Sequence, residues 1–198
     1  MIVITDIIGA IILFITSYYS LKAYKKTTLK VFLFLSLGFI LLAAGRISHS
    51  IIFMTISYTK PARLLIRATS VTASFITLFS EVLAYSLIAI GYSRNNTKIL
   101  AVHPIIYIGQ IFVQTIGEII NIFLLLFIVF RSATIYLTNK KRLTLTTLLA
   151  FISLLVSHTL KFISLFGMME PLFLLSKFIY FIGLLFFLVM LLEVETAK

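Results

Sequence analysis

Long apolar runs broken by short polar interruptions set the pattern of this chain. A helix that crosses a bilayer needs about 20 mainly apolar residues. On that measure the pattern predicts seven spans: Ile2–Ala23, Leu29–Ser57, Arg63–Tyr92, Ile99–Ile116, Gly117–Leu137, Leu143–Phe166 and Pro171–Glu193. The connections are short, and none has the composition of a soluble domain. The junction inside 99–137 is the weakest, because only Gly117-Glu118 offers a break there. One long helix in its place would give six spans.

Positive charge decides between the two counts. Three basic clusters, Lys22–Lys30, Arg94–Lys98 and Lys140–Arg142, each sit at the end of an apolar run. Seven spans with the N-terminus outside put all three on the cytoplasmic side, leaving Lys60, Arg63 and Arg67 outside. Six spans would place the third cluster outside, against the positive-inside rule. The expected fold is therefore an all-α integral membrane protein of seven transmembrane helices, multi-pass in the cytoplasmic membrane, with its C-terminus in the cytoplasm. The first run lacks a basic segment before it and a small-residue cleavage pattern after it, so it reads as a retained helix, not a signal peptide.

Composition agrees with a lipid environment. The 198 residues are 61% hydrophobic and 12% charged, with a mean hydropathy of +1.16. The net charge of +11 points to loops facing an anionic membrane leaflet and not to nucleic acid. With no Cys, disulfides, thiolate chemistry, iron–sulfur clusters and Cys-based zinc sites are excluded. No phosphate loop, His-x-x-x-His pair or catalytic carboxylate pair is present, so a stand-alone enzyme is not expected.

The two ends of the chain echo each other. A basic loop (KAYKKTTLK) feeds a span carrying Ser48-His49-Ser50, and a second (NKKR) feeds one carrying Ser157-His158-Thr159. This predicts a three-plus-one-plus-three parallel duplication, with a first repeat over about 1–93, a linker helix over about 99–116 and a second repeat over about 117–194. In helix order alone the layout resembles sugar-exporting semi-SWEET-type duplications; no motif residue of that family is matched here.

Ionisable residues inside a bilayer are costly, so each is a functional candidate. His49 lies about 28 Å beyond Lys30, and His158 about 24 Å beyond Arg142, at the helical rise. At this matched depth the two imidazoles are candidate axial ligands of a b-type haem iron, with Arg46 and Lys161 placed to neutralise its propionates. Ser70, Ser74, Thr77, Glu81 and Tyr85 follow steps of three and four and share one helix face. A hydroxyl row leading to Glu81 is a candidate proton or ion path. Gln110, Gln114 and Glu118, with Asn121 nearby, straddle the uncertain junction, where Glu118 is expected at the interface. Lys177 is shallow enough to snorkel outward.

The leading functional expectation is a membrane subunit of a larger redox or respiratory complex, holding haem b and contacting lipid, other membrane subunits and a quinone. The alternative is a small proton- or ion-coupled transporter built from two three-helix repeats. Against the latter, Pro61, Pro104 and Pro171 all fall near span ends and not at a mid-membrane break.

Overall fold

A computed structural model describes residues 2–59, 63–93, 110–167 and 170–196. They form six α-helices: α1 (Ile2–Thr27), α2 (Lys30–Thr59), α3 (Arg63–Tyr92), α4 (Gln110–Asn139), α5 (Arg142–Gly167) and α6 (Glu170–Thr196). Each is long and apolar enough to cross a membrane, which makes this a multi-pass helical membrane protein. Large apolar side chains such as Phe123, Phe130 and Phe178 stand on the outer surface, where they would meet lipid chains.

One predicted feature is corrected. The break at Gly117-Glu118 does not occur, because α4 runs unbroken through both residues. Gly117 serves close helix approach instead: a side chain there would collide with Leu78 of α3. The C-terminal end of the expected fourth span belongs to α4, and residues 99–109 lie outside the described residues.

The helices pack as a closed ring in chain order, with α6 returning to α1. Their directions follow from cross-helix pairs. Ser17 Oγ bonds the carbonyl of Ser36, Gly45 faces Ser80 while Gly38 faces Ile88, and Ser157 Oγ bonds the carbonyl of Ser176. Small residues at these points let antiparallel helices approach and bond. By contrast, α3 and α4 run in the same direction, because Gly117 meets Leu78 and Asn121 reaches Glu81. So do α1 and α6, since Asp6 pairs with Lys177 near one end and Lys22 with Glu195 near the other.

A geometric consequence follows for the α3–α4 connection. With Asn121 level with Glu81, Gln110 and Tyr92 lie about 33 Å apart along the bundle axis at 1.5 Å per residue. The chain therefore leaves α3 at one end of the ring and enters α4 at the other.

Two turns at the basic end match closely. Thr28 and Lys140 have φ of 57° and 48°, the left-handed conformation in which helices commonly stop. Each amide donates to a tyrosine carbonyl four residues back, Tyr24 and Tyr136, at 2.7 Å. Both turns put basic residues at the same end of the ring. There α6 is tied down by Lys22 on Glu195, Arg142 on Glu193 at 3.0 Å and Lys26 on the carbonyl of Val194.

Above this end the interior is apolar. Leu35, Phe39, Ile88, Phe151, Leu154, Leu184 and Phe187 are fully or almost fully buried. Phe187 sits edge-on to Phe39 at 5.0 Å and to Phe151 at 4.7 Å between ring centroids. Edge-to-face pairs of this kind add about 0.5–1.5 kcal/mol to burial alone.

Candidate functional site

Charged side chains gather in the half of the ring away from the basic turns. Asp6 of α1 receives Arg46 Nη1 at 3.2 Å and His49 Nδ1 at 2.8 Å, both from α2. Glu118 of α4 receives His158 Nδ1 at 2.7 Å and Lys161 Nζ at 2.5 Å, both from α5. The separations coincide. Asp6 precedes its partners by 40 and 43 positions, and Glu118 precedes His158 by 40 and Lys161 by 43 (161 − 118).

These residues can meet because their helices are locked nearby. Arg46 passes directly over Gly9, with Nη1 3.4 Å from where a Cβ would stand. Gly117 brings α4 against α3 beside Glu118. The partners on α2 and α5 lie three residues apart, hence on one helix face.

Two further helices complete the cluster. Glu81 of α3 accepts from Asn121 Nδ2 at 3.3 Å and lies 3.5 Å from Lys161 Nζ, so Lys161 bridges Glu81 and Glu118. Lys177 of α6 lies 3.8 Å from Asp6. The Arg46 guanidinium stacks 4.2 Å above the Tyr180 ring. Tyr85 of α3 contacts His158 Nε2 at 2.8 Å. A neutral His158 satisfies both neighbours, with Nδ1–H donating to Glu118 and Nε2 accepting the Tyr85 hydroxyl proton.

Together these side chains line a cavity of about 190 Å³, to which all six described helices contribute. Of the sequence candidates, Arg46, His49, Ser74, Thr77, Glu81, Gln114, Glu118, His158, Lys161 and Lys177 line it, and Tyr85 contacts His158. The side chain of Ser70 is outside the described residues. Thr77 Oγ1 donates to the carbonyl of Ala73 within its own helix.

Three sequence readings change. Glu118 is not interfacial: its side chain is 1% exposed, because α4 carries it into the ring. Lys177 does not snorkel away but turns inward to Asp6. Asp6 carries no candidate role in the sequence reading, yet it organises half the site. Its position near the start of the first apolar run resembles an interface residue, and only the repeated 40 and 43 spacing sets it apart.

The histidines do not suit a bis-histidine haem as they stand. Both ring nitrogens of His158 are engaged, by Glu118 and Tyr85, whereas Asp6 on Nδ1 of His49 is compatible with ligation through Nε2. The cavity is also smaller than the roughly 300–1,000 Å³ of pockets for drug-sized ligands. Glu81, Glu118 and His158 do offer three ligand atoms within 4.8 Å of one another. The ammonium of Lys161 already stands between the two carboxylates, so this group holds an internal cation.

No family model, curated protein or solved structure matches this chain.

Proposed function

We propose that this protein is a small membrane carrier that moves a small polar solute in company with protons. The observation that carries this reading is the partly open, charge-lined cavity to which every described helix contributes. Bare charges in a bilayer cost several kcal/mol, and ionisable residues kept there mark solute and ion pathways. His158, with both ring nitrogens engaged, offers no open position to an iron.

The architecture we propose is a parallel duplication of three helices, α1–α3 and α4–α6. Three matched features support it. The two carboxylates hold partners at equal spacing, the two basic turns share one conformation, and Phe39 and Phe151 meet the same Phe187. All three relate the halves by 112 positions (118 − 6, 140 − 28 and 151 − 39). In parallel-repeat carriers the solute site lies between the repeats, around an axis along the membrane normal. A parallel arrangement needs a further crossing between α3 and α4, giving seven in all. The opposite placement of Tyr92 and Gln110 supports it. The basic turns then face the cytoplasm and the cavity lies toward the outside, closed from within by the Phe39–Phe187–Phe151 cluster.

Glu81 is the coupling carboxylate in this reading. It shares Lys161 with Glu118, so a change in its protonation alters which carboxylate Lys161 serves. The test is proton movement in proteoliposomes carrying a pH-sensitive dye. Adding a mixture of small polar solutes should speed the collapse of an imposed pH gradient, and Glu81→Gln should remove that acceleration. An acceleration that survives Glu81→Gln would remove Glu81 from the role, and none with the native chain would remove the carrier reading.

A further inference from the structure

The charges around the cavity are not evenly divided. On one side, Arg46 and Lys177 surround the single carboxylate of Asp6. On the other, Glu81 and Glu118 share the single ammonium of Lys161. Counting the arginine, lysine and carboxylate groups alone, the first group carries a net +1 (two cations, one anion) and the second a net −1 (one cation, two anions). The site as a whole is neutral, but it is polarised across the space it encloses.

The two groups attract each other across the cavity, but each surplus charge has lost its water and has no partner within its own group, and that desolvation is costly in a low-dielectric medium. A second, independent observation points to an absent occupant. The Tyr180 hydroxyl, on a side chain 4% exposed, lines the cavity; Arg46 and Tyr85 lie beside it, but neither meets it in good hydrogen-bond geometry. A buried hydroxyl without a partner costs about 1–3 kcal/mol. Tyr180 also lies between the two groups: its ring carries Arg46 at 4.2 Å and is 6.4 Å from the ring of His158.

We propose that the cavity binds a small zwitterion of amino-acid size. Its carboxylate lies against Arg46 and Lys177, its ammonium against Glu81 and Glu118, and the Tyr180 hydroxyl donates to the carboxylate. Size agrees with this class. At about 190 Å³ the cavity is smaller than the roughly 300–1,000 Å³ of pockets for drug-sized ligands. An anion alone would leave the acidic group with its surplus charge, and a cation alone would leave the basic group with its own. Only a molecule bearing both charges neutralises the two groups together. This inference deepens the carrier reading and rests on it for its biological meaning, while the binding itself can be tested separately.

The test is calorimetric titration of the full chain, purified in detergent, with glycine, L-alanine, L-serine and β-alanine. Propionate and ethylamine serve as analogues carrying one charge. At least one zwitterion should bind, with each single-charge analogue weaker by roughly 30-fold or more, the scale of one buried charge left without its partner. Lys177→Met should weaken the zwitterion by a similar factor and strengthen ethylamine, because the basic group then has no surplus charge for a lone cation to leave unmatched. The Lys177 side chain is 22% exposed, so this variant is expected to fold even where Glu81→Gln does not. Tyr180→Phe should weaken the zwitterion with little effect on thermal stability. If no zwitterion in the panel binds, or if propionate or ethylamine binds as tightly, the proposal is overturned. Uptake into proteoliposomes separates the two readings. Binding of alanine without uptake keeps this inference and removes the carrier. Uptake of a singly charged solute in preference to alanine keeps the carrier and removes this inference.

Discussion

Asp6 of α1 and Glu118 of α4 each hold two basic partners 40 and 43 positions further on, on the following helix. The partner types are permuted. Arg46 comes before His49 in one case, and His158 before Lys161 in the other. What recurs is a carboxylate receiving two donors from one face of the next helix, not a particular side chain. Breaking a buried charge pair by removing one member costs about 3–5 kcal/mol. Glu118→Gln should lower the thermal unfolding temperature of the detergent-solubilised protein more than Asp6→Asn, because Glu118 is the more deeply enclosed. Equal and negligible shifts in both variants would show that these pairs contribute nothing to the fold.

Tyr85 and His158 test the polar network without a change of charge. Tyr85→Phe leaves the ring in place and removes the hydroxyl that faces Nε2. The cost should be about 1–3 kcal/mol, the scale of a buried acceptor left unsatisfied. His158→Phe in the same background should then cost less than it does alone, which a double-mutant cycle by thermal unfolding would read directly.

The aromatic cluster predicts a seal. Phe187→Ala removes the one ring that both Phe39 and Phe151 touch. It should cost about 3–5 kcal/mol in stability and raise the passive proton leak of proteoliposomes. Phe123→Ala, on the outer face of α4, should leave that leak at its native rate. An unchanged leak in Phe187→Ala would place the seal elsewhere.

The proposed crossing between α3 and α4 predicts sidedness. With no native Cys, single cysteines can be labelled cleanly in intact cells or oriented vesicles. Asn96→Cys and Lys141→Cys should react from one face, and Thr59→Cys and Gly167→Cys from the other. Labelling of Asn96→Cys and Lys141→Cys from opposite faces would rule out the parallel arrangement.

The membrane class was legible from the apolar runs alone, and so were the helix ends beside the basic clusters. Sequence periodicity also found one wall of the cavity, since Ser74, Thr77 and Glu81 share a helix face. Pairing between helices was not legible. The echo of Ser48-His49-Ser50 and Ser157-His158-Thr159 aligns the two histidines with each other. The carboxylate spacing instead aligns His49 with Lys161 and Arg46 with His158. A short polar motif is a poor guide to register when the conserved physical element is a charge contact between distant helices. Gly117 misled for a related reason: a glycine that permits close helix packing has the same appearance in a sequence as one that ends a helix.

The hairpins α1–α2 and α4–α5 are each fastened at two points, a left-handed turn at one end and a carboxylate with two partners toward the other. Fastened in this way, each hairpin behaves as a stiff beam. In the carrier we propose, two such beams leave few internal freedoms, and the motion expected is a rocking of one against the other. Phe187 touches both beams at once, on α6, which belongs to neither. In that reading Phe187 occupies the position of a pivot between the two beams.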